Sequence, residues 1–466
     1  MSSLFAGLHI GERALQAQQF ALETTQRNIT NANTPYYSRQ RVNFIPGDPI
    51  GFGAIAPGGG VISVSADAFR NRFIDYRVTQ ELQPQGENDA VIAALDQVDA
   101  LLNESDGKGL QAALSEFFAS FSSLSNAPED RSLRRQVLVS AQGLAHEFVR
   151  VYEGLQSIQT SNDRAVADTV SEINSTTSAI AELNSRIAQA HGLGSNEEFA
   201  LRDQRQAMLD KLAGLVDVSY WETESGSVTL ATAGGAILVA EDNSYQMAAV
   251  TQPGTPYLQI VVGGENITSD IGSGKLGGLI KVRDSMLPDY LARLDDMAAS
   301  LIESVNTQHA LGADLAGQQG GSFFTPFTPL IPGSDSGAAR SISVAITDPA
   351  KIAAAGLTEG PGSNANARLL AGIGDSKIVG SGTATLEQYY SDLVFIAGSQ
   401  ASTAKAASET QSNILLQLQN QRDSISGVNL DEEAVNIIKY QKAYQASARY
   451  ITVLNDLTEE VLGILG

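Results

Sequence analysis

The chain has 466 residues, enough for two to four domains at about 100–200 residues each. Lys plus Arg number 30 and Asp plus Glu 52, so the net charge is −22, and such an acidic surface repels nucleic acid and anionic membranes, neither of which is expected as a partner. There is no cysteine, which excludes disulfides and thiolate metal sites.

The first element is a predicted helix over residues 4–32. Leu8, Leu15, Leu22 and Ile29 recur every seven residues, and Leu4 precedes Leu8 by one helical turn. Gly7, Gly11, Ala14 and Ala21 flank that stripe and permit close approach of a partner helix, while Gln18 and Thr25 interrupt it. The helix runs into Asn28-Ile29-Thr30-Asn31-Ala32-Asn33-Thr34-Pro35-Tyr36-Tyr37-Ser38-Arg39-Gln40. Residues 38–75 read as irregular with strand-like pieces: Val61 to Ala66 alternate weakly, after a Gly/Pro-rich loop from Pro46 to Gly60.

Residues 86–215 read as mainly helical. After Asn126-Ala127-Pro128-Glu129, with Pro placed early, a long amphipathic helix is expected to about residue 190. Its stripe is Val137, Leu144, Phe148, Val151, Leu155 and Ile158, resuming as Val166, Val170, Ile173, Ile180 and Ile187. The join near Asn162 adds a four-residue step, which changes the supercoil locally.

From about 216 to 280 the pattern changes. Val216, Val218, Tyr220, Val228 and Leu230 alternate with polar residues, and the runs Ile237 to Val239 and Ile260 to Val262 are bounded by Gly and Pro, which predicts a small inserted β domain. The lone Trp221 is expected to pack in it, or, if exposed, to contact a partner. Helix returns from Leu287 to about Leu311, with Leu291, Leu294, Met297, Leu301 and Val305 on one face. Ile342, Val344 and Ile346 suggest a further strand, and Pro349 to Ala355 a short helix. Residues 386–425 supply a helix matching the first bundle, with Leu386, Tyr390, Leu393, Ile414, Leu418 and Ile425. The last element, residues 430–465, is entered through Ser426-Gly427-Val428-Asn429-Leu430-Asp431-Glu432-Glu433. Ile437, Tyr440, Tyr444, Ile451, Leu454, Val461 and Leu465 keep three-four spacing along it. First and last helices of coiled-coil spacing imply that the two ends meet. The same pattern also suits two ordinary terminal helices packed on a globular core. Little apolar area is available to either helix alone, so both are expected to order fully only when many copies pack together.

Chemical motifs are scarce. His9, His146, His191 and His309 are scattered without metal-ligand spacing, and neither a metal nor a cofactor is expected. Gly272-Ser273-Gly274-Lys275-Leu276-Gly277 matches GxGxxG, but Ser269 and Leu276 spoil a Walker loop and no periodic helix is expected behind it; a turn out of the β domain is the simpler reading. Asp431, Glu432 and Glu433 read as the first turn of the last helix, where negative charge complements the dipole. No catalytic residue is assigned.

The N-terminal run resembles the segment shared by bacterial flagellar rod, hook and hook-associated proteins, in which an Asn/Ala-rich helix end is followed by Thr-Pro-Gly-Tyr. The residues that carry it here are Asn31, Asn33, Thr34, Pro35, Tyr37, Ser38, Arg39 and Gln40, with Asn429, Leu430, Glu432 and Glu433 at the other end. The ending Tyr37-Ser38-Arg39-Gln40 and the run Tyr440 to Arg449 are most similar to the hook-associated proteins of the hook-filament junction, as are Gly274 to Leu279 with Arg283-Asp284, Asn306 to His309 and Gly320 to Phe324. Tyr36 stands where the family usually has Gly, which leaves the geometry of that turn open.

The fold expected is mainly α with an inserted β domain: terminal helices paired as a coiled coil, a long-helix bundle and a small β-rich outer domain. Its divisions are 1–37 with 428–466, 38–215 with 285–427, and 216–284. The resemblance implies a non-catalytic subunit that joins hook to filament by self-assembly into a short tube. Leu4, Leu8, Leu15, Leu22, Ile29, Ile437, Tyr444, Ile451, Leu454 and Val461 would form the seam. It also implies hook protein, flagellin or an adjoining hook-associated protein as partners, and an export chaperone on the C-terminal helix. Residues 1–30 show no signal-peptide pattern and no run approaches about 18 apolar residues, which taken alone suggests a cytoplasmic protein. The resemblance implies instead export through the flagellar type III apparatus without a cleaved leader, to an extracellular place in the flagellum. The rivals are another axial protein, or a secreted enzyme or adhesin whose activity lies in the β insert. That insert has no His and is short beside a typical domain of about 100–150 residues.

Overall fold

A computed structural model of the chain describes residues 2–47, 59–103, 109–191, 196–328 and 334–465. The expected loop from Pro46 to Gly60 lies mostly outside the described residues. Helix α1 (Ser2–Thr30) is followed by an antiparallel hairpin of β1 (Gln40–Pro46) and β2 (Val61–Ala68), with Val42 opposite Ala66. Four helices come next: α2 (Arg72–Leu102), α3 (Leu110–Asn126), the 60-residue α4 (Arg131–Ala190) and α5 (Asn196–Leu215). Asp130 starts α4 by accepting hydrogen bonds from the Ser132 and Leu133 amides at 2.6 and 3.4 Å, so the helix begins two residues after the anticipated Pro-Glu step.

The insert holds two antiparallel sheets. One runs β3 (Val218–Glu222), β4 (Val228–Thr232), β5 (Ile237–Ala240) and β6 (Asn243–Ser244); the other runs β7 (Met247–Val250), β8 (Gln259–Val262) and β9 (Glu265–Asn266). Helix α6 (Gly274–Lys281), a π-helical turn over Val282–Met286 and α7 (Leu287–Ala310) lead back to the bundle. The two-residue strands β10 (Gly312–Ala313) and β11 (Ala355–Gly356) pair with each other, with α8 (Ala338–Ser341) between them. Helices α9 (Ala365–Gly372), α10 (Leu386–Ser426) and α11 (Leu430–Leu465) complete the chain. A capping box at Thr385 and Gln388 opens α10.

Three sequence expectations need correction. A helix does start inside the GxGxxG run: α6 begins at Gly274, where a Cβ would lie 2.5 Å from the Val216 amide nitrogen and 2.7 Å from the Leu215 carbonyl carbon. The glycines permit close packing of α6 against α2 and the end of α5, which is a packing role and not a phosphate loop. The strand expected at Ile342 to Ile346 reduces to a single bridge, Val344 to Phe324, because Ile342 and Ile346 turn inward to the core. The short helix after Pro349 is one 3₁₀ turn, Pro349–Lys351.

The long helix α4 serves two cores. Val137, Leu144, Phe148, Val151 and Leu155 pack with α2, α3, α7 and α10 around Phe117, Phe121, Phe323 and Phe324. Val166, Val170, Ile173 and Ile180 pack with α5, α6 and both sheets of the insert. The predicted four-residue step falls at the changeover. There the buried Asn162 donates to the Ile158 carbonyl, and Asp163 Oδ1 accepts from fully buried Arg283 at 2.7 Å and from the Leu258 amide at 3.0 Å. Gln159 donates to the carbonyl of Arg283, on the π-helical turn. Helix α10 lies antiparallel along α2: Ile74 and Val78 meet Leu415, Glu81 meets Gln411, and Asp96 meets Lys405.

Candidate functional site

The two terminal helices lie side by side, and their closest approach is built from small residues. A Cβ on Gly11 would fall 2.6 Å from Ile451 Cγ1, and one on Gly7 3.0 Å from Leu454 Cδ1. The buried positions of α1 are Gly7, Gly11, Ala17, Ala21, Thr24, Thr25 and Asn28. The predicted seam residues Leu4, Leu8, Leu15, Leu22 and Ile29 are only half-buried. So are Ile437, Ile451, Leu454 and Val461, and Tyr444 is exposed. Phe5, Val435, Ile438, Tyr450, Val453 and Leu457 are exposed as well, which leaves the helix pair with apolar surface turned to solvent.

Both helices join the core at one place, through two short connections that run together. Residues 31–39 carry the first and 427–429 the second, and the Arg39 amide donates to the Ser426 carbonyl at 2.9 Å. Gly427 is needed there because a Cβ would sit 2.3 Å from the Asp423 carbonyl oxygen. The connections border a groove of about 760 Å³ lined by Asn33 to Arg39, Arg70, Gln206, Arg422 and Ser426 to Asn429.

The signature residues make the joint, each through an identifiable bond. Asn28, in the last turns of α1, donates through Nδ2 to the Gln40 carbonyl at 2.8 Å, and its Oδ1 accepts from the Gln40 amide at 3.0 Å and the Tyr37 hydroxyl at 2.9 Å. Asn31 and Thr34 shape the turn: the Thr34 amide donates to the Asn31 carbonyl, and its hydroxyl to Asn31 Oδ1. Asn33 and Pro35 are exposed on its outside. Ser38 donates from its amide and its hydroxyl to Asp203 on α5, at 3.0 and 2.8 Å. Arg39 reaches the first turn of α11, with Nε 2.7 Å from Glu433 and Nη1 2.7 Å from Glu432. Asn429 caps that turn, its Oδ1 accepting from the Asp431 and Glu432 amides, and Leu430 is exposed. Glu433 is 2% exposed, and Arg39 is the cation beside it.

Behind the joint lies a polar cluster that sequence reasoning missed. Asp210 on α5 accepts from Thr79 of α2 at 2.9 Å and from Gln206 at 2.8 Å, and lies 3.8 Å from Arg422 of α10. Burial pushes its carboxyl up to about 6, against the lowering pull of Gln206, Thr79 and Arg422. Burial also raises Asp203, while Arg70 and Ser38 pull it down. Arg70 bridges Asp75 and Asp203. The only hint in the sequence is that Asp203, Gln206 and Asp210 recur on one face of α5, which equally suits a solvated face. Tyr36 stands in the left-handed region at φ 66°, a conformation that Gly adopts more readily than Tyr. Its ring lies under the Arg422 guanidinium, 5.2 Å from centroid to carbon.

The remaining sequence candidates lie away from the joint. Trp221 is 52% exposed on the edge strand β3. His309 is buried, with Nε2 accepting from the Ala353 amide and Nδ1 2.7 Å from the Gly321 carbonyl, which fixes it as a neutral core residue. Among the described residues no cluster of His, Asp and Glu is arranged to hold a metal, and no helix is long and apolar enough to cross a membrane.

The chain with this helical body, its first and last helices side by side on a double connection, is a structural flagellar protein and not an enzyme. A family model described as the flagellar hook-associated protein FlgK helical domain matches residues 95–324, and one described as the flagellar basal body rod FlgEFG protein C-terminal matches residues 419–464. Flagellar hook-associated protein 1 of Bacillus subtilis is 32% identical over 507 residues, covering 100% of this chain and 99% of that one. Flagellar hook-associated protein 1 of Escherichia coli is 27% identical, with 100% of both chains covered. The solved flagellar hook junction protein FlgK from Burkholderia pseudomallei superposes with a TM-score of 0.68 at 20% identity, over 75% of this chain and all of that one, and so shares its fold. The chain belongs to the flagellar hook-associated protein 1 family.

Proposed function

We propose that the chain joins hook to filament as the repeating subunit of a short tube, packed side by side through its terminal helices. The observation that carries this reading is the pair α1 and α11. They are held together by Gly7 and Gly11 against Leu454 and Ile451, yet carry half-buried and exposed apolar residues along their length. In a single copy that surface meets water; in a tube it meets the next copy. Leu4, Leu8, Leu15, Leu22, Ile29, Ile437, Tyr444, Ile451, Leu454 and Val461 are the contacts we assign to this packing, as a coiled-coil seam between and within subunits.

The three divisions follow as proposals: 1–37 with 428–466 inside, 38–215 with 285–427 around it, and 216–284 outermost. Hook protein on one side and flagellin or an adjoining hook-associated protein on the other are the partners. The exposed apolar face of α11 suits an export chaperone that shields it before assembly, and export then proceeds without a cleaved leader. Deleting the gene tests the reading. Electron microscopy should show hooks without filaments, with unassembled flagellin in the medium. Missing hooks would make the chain a rod or hook part, and intact filaments would overturn a junction role.

A further inference from the structure

We infer that Tyr36 is a positioning residue: its left-handed backbone and its ring under Arg422 together fix the angle at which the terminal helix pair leaves the core. The inference rests on the joint serving as the attachment of an assembly helix pair, as proposed above.

The argument starts from strain. At φ 66° a glycine is at ease and a tyrosine is not, so a tyrosine persists only if its side chain gains something in return. Arg422, on the penultimate turn of α10, supplies that gain by covering the ring. Asp210, on α5, lies 3.8 Å from Arg422. Arg422 also lies five residues before Gly427, at the root of the second connection. The ring therefore ties the first connection to the base of the second and both to the core. If Tyr36 relaxed to negative φ, the turn from Asn31 to Tyr37 would redirect and the ring would leave Arg422. Backbone conformation and ring contact thus stand or fall together, and one angle is selected.

The chain has no cysteine, so two can be introduced and spin-labelled cleanly. Val139 on α4 and Val453 on α11 are 61% and 55% exposed and sit on opposite sides of the joint. Pulsed dipolar spectroscopy on the full-length V139C/V453C chain should give one narrow distance. Y36G and R422A should each broaden it, the pair together should broaden it no further, and Y36F, which keeps the ring, should leave it narrow. A broad distribution in the parent, a narrow one in Y36G, broadening by Y36F, or additive broadening in the double variant would each overturn the inference. Near-ultraviolet circular dichroism of the core confirms folding, and R422A decides the matter if Y36G does not fold. The measurement uses the isolated chain, so it and the gene deletion can fail separately.

Discussion

At the scale of single residues, the joint is a set of charges taken out of water in matched pairs. Arg39→Ala would leave Glu433 buried and unpaired, which costs about 3 kcal/mol, and chemical denaturation followed by helix signal should show the loss. Asp210 makes the cluster sensitive to pH. Its carboxyl is held near 6, above the ordinary 3.8, so its contribution to stability is full below about 3.8 and is lost as pH rises through about 6. A shift of that size is worth of the order of 3 kcal/mol. Asp210→Asn should therefore flatten the pH dependence of unfolding between pH 4 and 7, and an unchanged profile would remove Asp210 from the account. His309 works in the opposite sense. Burial lowers its proton affinity, so the stability it confers is present above its unfolded value of about 6.5 and is lost below it. What the sequence disclosed at this scale was composition, not partnership. Asn31 to Gln40 stood out as a run, but nothing in it shows that Ser38 would find Asp203, 165 residues away. Such pairings are set by packing that a linear pattern does not encode.

At the scale of elements, the heptads identified both terminal helices to within two residues, because a long period-seven stripe has few competing explanations. The leucine stripe reads as the seam and the small residues beside it as the place of close approach; within one chain Ile451 and Leu454 cover Gly11 and Gly7, and the leucine stripe is half-buried. Close approach favours the face with least side chain, and periodicity alone does not rank two adjacent faces. The consequence is testable. Gly11→Val would drive a side chain into Ile451 and should cost about 1–3 kcal/mol in the pairing of α1 with α11, seen as early loss of helix on heating. Leu22→Asp acts on the half-buried leucine stripe and Ile451→Asp on the contact with Gly11; both should leave the core folded while abolishing incorporation into flagella. Recovery of such variants in purified filament preparations would refute the assigned contacts. The strand expected near Val344 failed for a different reason: three alternating apolar residues suffice to bury two side chains without any ladder.

At the scale of the whole molecule, the order helix, bundle, insert, bundle, helix was readable because composition changes sharply at each boundary. That two separate cores share α4 was visible only as the four-residue step near Asn162. The first core holds an aromatic cluster in which Phe117 stands against Phe121, Phe323 and Phe324, and Phe323 against Phe121 and Phe324, with ring centroids 5.0–5.8 Å apart. Phe323→Ala should cost about 3–5 kcal/mol and lower the main melting transition, which calorimetry would register.

The paired connections have a mechanical meaning. A single strand of chain swivels about every axis, like a thread. Two strands lying abreast and bonded across at Arg39 and Ser426 behave like the rails of a ladder joined by a rung: neither can twist without dragging the other. In the tube proposed above, torque on one helix pair would therefore reach the core through both connections at once.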